Sequence, residues 1–304
     1  MLRNDNGEKD WINKALAVVQ EVFDCEKNQI NNIEVLKKGM TNYSLFFVVD
    51  KNKYIIRVPG EGTSKIINRK QEADVYNAIK GYKICDEPIY INSSTGYKIT
   101  RFLNNVRTCN VDSSQDVQKC MQKLKSFHNL HLNVGHEFDL FERIDFYESL
   151  WKKEKSLYSD YKETKKNVCE LKRYIDSCSK EKCLAHIDAV CDNFLFYNEG
   201  IEQKLQITDW EYAGMQDPHL DIAMFCIYSS FDKSRVDKLI DLYFERKCDT
   251  ETRTKIYCYI SAAGLLWSNW CEYKSEFGIT FGNYARKQYS YAQEYYVLAK
   301  ELIR

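Results

Sequence analysis

The chain has 304 residues, 44% hydrophobic and 29% charged, which is the composition of a globular protein with a substantial core rather than of a disordered chain. Lysine plus arginine (44) equals aspartate plus glutamate (44), so no overall field favours nucleic acid or an anionic membrane. The scattered cysteines and the polar start of mixed charge predict reduced thiols, no secretory signal and a cytoplasmic location. The longest mainly apolar stretch, 257–267, is shorter than the roughly 20 residues that span a bilayer, so no membrane insertion is expected.

Strand patterns dominate the first third of the chain. Apolar residues at helical spacing predict helices, and runs rich in aromatic and β-branched residues predict strands. In chain order the predicted elements are a helix over 12–23, a β-hairpin from 42–50 and 54–58, a helix with Val75, Tyr76 and Ile79 on one face, and strands at 89–91 and 97–102.

After about residue 103 the pattern becomes mainly helical. Ser113 and Asp116 have the spacing of a capping box at the start of a helix. A second hairpin is predicted from 193–197 and 205–208, and the chain from Leu220 onward has helical periodicity. The sequence therefore predicts an α+β, bilobal enzyme with a small β-rich lobe (1–103), a larger helical lobe (104–304) and a cleft between them.

The segment 186–193 carries the most specific motif in the chain. His186, Asp188 and Asn193 have the spacing H-x-D-x-x-x-x-N of a phosphotransferase catalytic loop. An Asp-x-Glu motif, Asp209 and Glu211, lies across the predicted hairpin and begins sixteen residues after Asn193. One carboxylate would accept a proton from an attacking hydroxyl, and amide and carboxylate oxygens are the ligands that magnesium prefers. The short motif alone could arise by chance, with His186 as a core histidine. The hairpin and the Asp-x-Glu motif at this distance favour the functional interpretation.

On these residues the chain resembles the choline/ethanolamine kinase branch of the aminoglycoside-phosphotransferase and protein-kinase-like enzymes, and most of all the bacterial-type choline kinases. The resemblance is strongest over 186–196 and 207–214. It implies a protein-kinase-like fold, with ATP and Mg²⁺ as cofactors. It also implies that Asp188 is the base, that Asn193 and Asp209 hold magnesium, and that His186 braces the loop.

The resemblance places a phosphate-covering loop before the first hairpin strand. In this chain the loop residues expected to bind phosphate oxygens are Gly39, Thr41, Asn42 and Ser44. Backbone N–H groups and short polar side chains suit that task. A single glycine is a weak signal, and an ordinary entry into the strand is the alternative interpretation.

Arg57 lies among apolar residues of the second predicted strand, where a charge needs a partner or must face water. Glu72 shares the inward stripe of the next helix, so an Arg57–Glu72 pair is predicted in place of the strand-lysine and helix-glutamate pair of kinases. Arginine stays charged and grips phosphate with two donors. The alternative is an exposed arginine on an edge strand. Arg101 and Phe102 lie where the resemblance puts the hinge, whose backbone would bind adenine.

Aromatic residues suggest which acceptor receives the phosphate. Trp267 and Trp270 are three residues apart and share one face of a helix. The trimethylammonium group of choline donates no hydrogen bond and is recognised by π-faces with a nearby carboxylate. The resemblance implies that Trp267, Trp270, Tyr212 and Tyr284 bind choline, with Glu211 as an anionic neighbour. Aromatic residues at helical spacing also form cores, and that interpretation stays open.

The expected function is an ATP- and Mg²⁺-dependent choline kinase with small-molecule substrates and no nucleic-acid partner. Ethanolamine, another amino alcohol or an aminoglycoside are alternative acceptors, although the acceptor region is aromatic rather than densely acidic. A binding module that has lost catalysis is a further alternative, against which the intact Asp188, Asn193 and Asp209 argue.

Overall fold

The computed structural model of the protein describes residues 5–38, 42–60 and 63–303. They group into two compact units. Unit 1 lies within Met1–Arg107 and Leu195–Tyr212, and unit 2 within Thr108–Phe194 and Ala213–Arg304. Unit 1 therefore includes a segment, 195–212, that the predicted division at residue 103 assigned to the second lobe. The segment joins unit 1 because the Ile207 N–H donates to the Ile84 carbonyl (2.8 Å) and Phe196 bridges Arg107 in antiparallel pairing.

The elements of unit 1 and their bounds are α1 (Asp5–Phe23), β1 (Asn31–Lys38), β2 (Asn42–Val49), β3 (Asn52–Pro59), α2 (Arg69–Ile79), β4 (Tyr90–Ile91), β5 (Lys98–Arg101), β7 (Phe194–Glu199) and β8 (Glu202–Ile207). The first residue of β7, Phe194, is the last residue of a unit 2 segment. Strands β1 to β5 form a five-stranded antiparallel sheet with the order β1-β2-β3-β5-β4. Both predicted hairpins are confirmed: β2 pairs with β3, and β7 pairs with β8 in a separate two-stranded sheet.

The two faces of the five-stranded sheet differ in chemistry. Leu45, Phe47 and Ile56 are fully buried in one core cluster with Ala15 and Val19 of α1, so α1 covers the apolar face. Side chains alternate between the faces of a strand. The opposite face therefore carries the row Ser44, Arg57 and Lys98, which the strand register places side by side. Helix α2 covers this second face, and its Glu72 and Tyr76 contact Arg57 and Lys98.

Strand β1 is absent from the sequence prediction. It is an edge strand, paired only with β2 and interrupted by two register shifts. Ile33, Val35 and Leu36 are 38–45% exposed, and apolar and polar residues do not alternate along it. The described side chains of this strand, 31–36, are exposed on both faces, and such a strand leaves no period-two signal.

Unit 2 is mainly helical and is organised around helix α9 (Thr250–Ser275). Residues 254–274 of this helix are all buried, as expected of a central helix. The predicted helical content after Leu220 and the Ser113 cap, which accepts from the Asp116 N–H, are confirmed. The elements of this unit are α3 (Ser114–His128), α4 (Leu140–Ser149), α5 (Tyr161–Glu170), α6 (Lys172–Ser177), β6 (Cys183–Ala185), β9 (Gly214–Gln216), α7 (His219–Tyr228), α8 (Lys233–Tyr243), α9 (Thr250–Ser275) and α10 (Asn283–Leu302).

The α+β class predicted from the sequence is confirmed by this mixture of strand-rich and helical units. Among residues 5–38, 42–60 and 63–303, no helix is long and apolar enough to cross a membrane.

Candidate active site

The H-x-D motif forms a tight turn directly after strand β6. The Asp188 N–H donates to the His186 carbonyl oxygen (2.8 Å), and Ile187 between them has a φ of 69°. A hydrogen bond between residues two apart around a positive φ is a γ-turn of the rare, strained kind. For a β-branched residue this conformation persists only where the surroundings enforce it. The turn therefore points to an outside brace.

Asp221, in the first turn of α7, supplies that brace. Its carboxylate is fully buried and accepts the N–H groups of His186 (2.8 Å) and Ile187 (2.6 Å). The Nε2 atom of His128 lies 2.9 Å from the same carboxylate. Burial would raise the pKa of Asp221, but the bond and charge of His128 and the His186 amide outweigh it and hold the pKa below its ordinary value. An ionised Asp221 thus fixes the backbone on the N-terminal side of Asp188.

Asn193 fixes the other side of Asp188. It ends a 3₁₀ turn, Cys191–Asn193, and its Nδ2 donates to the Asp188 carbonyl (2.9 Å) and to the Asp188 carboxylate (3.1 Å). Because the amide uses its nitrogen for both bonds, its oxygen Oδ1 is the atom that can coordinate a cation. The predicted juxtaposition of Asp188 with Asn193 is present.

In unit 1, Arg57 is surrounded by carboxylates. It is buried and forms an ion pair with Glu72, so the predicted contact is confirmed. It also lies 3.0 Å from Asp209 and 3.7 Å from Glu211. Burial would lower the pKa of Arg57, but the three carboxylates raise it above its ordinary value.

A second arginine, which the sequence analysis missed, completes this cluster. Arg69 Nη1 donates to Glu72 (2.9 Å) and to Glu211 (3.0 Å), while Nη2 lies 3.4 Å from the Asn42 side-chain oxygen. Arg69 opens α2 after the Asn68 cap, three residues before Glu72. Residues three apart share a helix face, and that spacing is the signal that could have found it.

The carboxylates of Glu72, Asp209 and Glu211 offer oxygen atoms within 4.8 Å of one another. Such a donor set fits a hard cation such as magnesium, but Glu72 and Glu211 are already paired with the two arginines. Asp209 is the most exposed of the three, at 30% of its side chain, and it has a φ of 65°, which aspartate tolerates better than most residues. Burial and the negative charge of Asp209 raise the pKa of Glu211. The positive charges of Arg57 and Arg69 act in the opposite direction but do not outweigh them.

The other predicted nucleotide-binding residues have different outcomes. Gly39 and Thr41 lie outside the described residues. Asn42 is buried and donates to Glu211 (2.9 Å), and Ser44 lies opposite Arg57 on β2. Arg101 is exposed, and the Phe102 N–H donates to the Lys53 carbonyl (3.0 Å). That N–H is engaged within the sheet, so it does not serve as an adenine donor here.

The predicted acceptor residues on α9 and α10 belong to a chain of aromatic rings. Trp267 and Trp270 share one face of α9, with ring centroids 5.7 Å apart, as predicted. Phe281, which was not predicted, lies 5.3 Å from Trp270 and 6.4 Å from Tyr284. Burial, Cys271 and the charge of Asp188 raise the pKa of Tyr284, so its hydroxyl lies within electrostatic reach of Asp188. Both tryptophans are almost fully buried.

Tyr212 and Glu211 are the acceptor residues predicted next to the Asp-x-Glu motif. Both are buried in unit 1. The Glu211 carboxylate binds Asn42 and Arg69, so its contacts within unit 1 are with polar and cationic side chains. Its predicted place beside the acceptor remains a prediction.

Known proteins share both this sequence and this fold. The chain is 26% identical over 266 residues to protein LicA of Haemophilus influenzae, which covers 82% of this chain and 76% of that protein. The crystal structure of choline kinase LicA from Streptococcus pneumoniae superimposes with a TM-score of 0.79 and 26% identity, over 93% of this chain and 98% of that one. A structure of LicA in complex with AMP gives a TM-score of 0.78 at 26% identity, with the same coverage of both chains.

These similarities agree with the local geometry, in which an Asp–Asn pair follows strand β6 and an arginine–glutamate pair joins β3 to α2. The profile of the choline/ethanolamine kinase family matches residues 33–262, well over half of the described chain. The chain belongs to the choline/ethanolamine kinase family.

Proposed function

We propose that the protein transfers the γ-phosphate of ATP to the hydroxyl group of choline and so produces phosphocholine. The observation that carries this proposal is the Asp188 carboxylate, which accepts a hydrogen bond from Asn193 (3.1 Å) and whose charge acts on Tyr284, a member of the aromatic chain. A proton acceptor that interacts with an aromatic residue suits an alcohol that carries a quaternary ammonium group. The similarity to a choline kinase supports the same choice of acceptor.

Asp188 acts as the base in the proposed reaction. Its carboxylate accepts the proton of the choline hydroxyl as the oxygen attacks the γ-phosphorus in line with the departing β–γ bridging oxygen. The bonds from Asn193 and the Asp221 brace hold the carboxylate and its backbone in place before substrate arrives. Positioning of this kind accounts for much of the catalysis of phosphoryl transfer.

Arg57 is the proposed phosphate ligand of unit 1. Its guanidinium is held by Glu72, and arginine remains charged at all working pH values. The AMP complex of LicA supports nucleotide binding in this family. The phosphate-covering role of Gly39, Thr41, Asn42 and Ser44 and the hinge role of Arg101 and Phe102 remain part of the proposal, with the backbone carbonyl rather than the N–H of Phe102 facing adenine.

Asn193 Oδ1 and the Asp209 carboxylate are the proposed magnesium ligands, since both offer the oxygen donors that this cation prefers. When bound, magnesium supplies positive charge that offsets the charge of the phosphate oxygens. His186 contributes by its buried position and by the N–H bond to Asp221, so it supports the loop and does not transfer a proton.

The proposed acceptor site consists of Trp267, Trp270 and Tyr284, with Tyr212 and Glu211 assigned by resemblance. Phe281 joins it because its ring lies between Trp270 and Tyr284. Ethanolamine is the second candidate acceptor: its ammonium group would need hydrogen-bond acceptors, and the family includes kinases for both alcohols.

Replacement of Asp188 by asparagine tests the assignment of the base. We expect Asp188→Asn to lower kcat by roughly a thousandfold, within the usual range for a general base, while nucleotide affinity stays within about threefold. The matched control is Asp192→Asn, the same change at an exposed residue of the neighbouring 3₁₀ turn, which should retain activity. Turnover of the Asp188 variant near the wild-type rate would refute the assignment.

The acceptor is tested by measuring kcat/KM for ATP-dependent phosphorylation of choline, ethanolamine and an aminoglycoside. Choline should give the highest value. A higher value for ethanolamine would replace choline by the second candidate. Absence of magnesium-dependent ATP consumption with every acceptor would support a binding module instead.

A further inference from the structure

Two guanidiniums compete for one carboxylate oxygen in unit 1. Glu211 Oε2 lies 3.0 Å from Arg69 Nη1 and 3.7 Å from Arg57 Nη1. Arg69 is therefore the closer partner of Glu211, and Arg57 is left nearer to Glu72 and Asp209. We propose that Arg69 is a positioning residue which, by engaging Glu211, keeps Arg57 available to the phosphates of the nucleotide. This inference rests on the proposed function, which assigns Arg57 to the nucleotide.

Charge balance explains why the second arginine matters. The cluster holds three carboxylates, Glu72, Asp209 and Glu211, against the two guanidiniums of Arg57 and Arg69, and all except Asp209 are at least nine-tenths buried. Buried charges need partners. Without Arg69, Arg57 would be the single arginine of this cluster facing all three carboxylates. Glu211 would keep its bond from Asn42 but would have no arginine partner except Arg57, so the guanidinium of Arg57 would be drawn from phosphate toward that carboxylate.

The chain makes room for Arg69 at a specific place. A Cβ atom on Gly96 would lie 2.6 Å from Arg69 Cδ and 2.7 Å from Arg69 Nε. Gly96 also has a φ of 75°, which glycine adopts without strain. The side chain thus passes over the turn before β5 and reaches the cluster, where Nη1 donates to both Glu72 and Glu211. The other nitrogen, Nη2, lies 3.4 Å from the side-chain oxygens of Asn42 and Thr63, and a compact ammonium group would not make both sets of contacts at once.

The test measures the affinity of the purified protein for ADP by calorimetry in the presence of EDTA, so that magnesium does not contribute to the measured affinity. Arg69→Met should weaken ADP binding at least tenfold, the size expected for loss of a charge-assisted contact to phosphate. Glu211→Gln added to Arg69→Met should restore the affinity to within about threefold of wild type, because the competing charge is gone. A purely structural role would not give this rescue.

Three further variants make the outcome decisive. Arg253→Met, which removes a surface arginine paired with Asp237 and Asp241, should leave ADP affinity unchanged. Arg57→Met alone should weaken binding, and Arg69→Met added to it should cause no further loss. If Arg69→Met does not fold, as judged by circular dichroism, Arg69→Lys takes its place and should show a smaller loss with the same rescue.

Each contrary result has one meaning. Unchanged affinity in Arg57→Met would refute the phosphate role of Arg57 and so the proposed function at that residue. If Arg57→Met weakens ADP binding but the Arg69 variant does not, the positioning role of Arg69 is wrong, whereas the phosphate role of Arg57 stands. Absence of rescue by Glu211→Gln, or an equal loss from Arg69→Met with and without Arg57, would also overturn it.

Discussion

A substitution of Trp270 can distinguish a role in core packing from a role in choline binding. Its ring is almost fully buried between those of Trp267 and Phe281. If it also faces the ammonium group of choline, a desolvated cation–π contact worth about 2 kcal/mol is at stake. We expect Trp270→Leu to raise the KM for choline by roughly thirtyfold and to leave the KM for ATP within about twofold. Steady-state kinetics with each substrate varied in turn measures both values.

Trp151 provides the matched control for that experiment. It also packs in unit 2, where its Nε1 donates to the Asn269 carbonyl of α9 (3.0 Å) and its ring contacts Tyr161. Trp151→Leu removes the same indole and should lower stability without a selective change in the KM for choline. Equal effects of the two substitutions on that KM would mean that Trp270 is only a core residue.

The roles of single residues were predictable from the sequence where a charged residue lies among apolar residues or within a recognisable motif. Arg57 and Glu72 are of this kind, because a buried charge demands a partner, and the pair is present. Asp221 could have been found by the same argument, since it interrupts an apolar run. Its partners, two amides and His128, could not, because they come from segments distant in sequence.

At the scale of elements, α9 and α10 approach closely through Gly264. A Cβ atom there would lie 2.6 Å from the Gln288 carbonyl oxygen and 2.9 Å from the Ala292 nitrogen. Backbone atoms cannot give way cheaply, and overpacking typically costs 1–3 kcal/mol. Gly264→Ala should therefore lower the free energy of unfolding by about 2 kcal/mol, although alanine favours a helix by about 1 kcal/mol over glycine. Denaturant titration measures the change.

Gly135→Ala is the control for the element-scale prediction. Gly135 is exposed, and an added Cβ would meet nothing within 4 Å, so this variant should be as stable as the wild type or slightly more so. If Gly264→Ala proved equally harmless, α9 and α10 would not approach each other as closely at Gly264 as described.

Helices and strands were predictable from the sequence where burial of one face makes apolar residues recur at a regular spacing. Strands β2 and β3 alternate because one face packs on α1, and the helices of unit 2 carry apolar stripes. Strand β1 has exposed apolar residues and shifted register, so no period could identify it. The loop residues Gly39 and Thr41 carry too little pattern for their role to be derived from sequence.

At the scale of the whole molecule, unit 1 is discontinuous in sequence. The hairpin of β7 and β8 joins it through Ile84 and Arg107, residues more than 80 positions earlier in the chain. Hairpin formation is local and was predictable, but the surface against which a hairpin packs depends on contacts between distant segments. The predicted boundary at residue 103 could not contain that information.

Global stability should depend on pH through His219. Burial, which outweighs the nearby Asp217, lowers the pKa of His219 to about 4 from an ordinary 6.5. The Asp217 carboxylate is 3.2 Å from His219 and 2.7 Å from the buried Lys255, so Lys255 already neutralises it. The folded protein therefore keeps His219 neutral, whereas the unfolded chain takes up the proton near pH 6.5. Its stabilising contribution is complete above pH 6.5 and declines as the pH falls toward 4, by about 1.4 kcal/mol per unit.

The expected result is that His219→Gln flattens the dependence of unfolding free energy on pH between 7.5 and 4.5. Carboxylates with lowered pKa, such as Asp221 and Asp237, lose their contribution below their ordinary value of 3.8, so they do not account for this window. Glu211, whose pKa is raised, acts with the opposite sign and is common to both proteins. His131→Gln, at a histidine with 57% of its side chain exposed, should leave the wild-type slope intact. Parallel curves for wild type and His219→Gln would show that this histidine is protonated in the folded state.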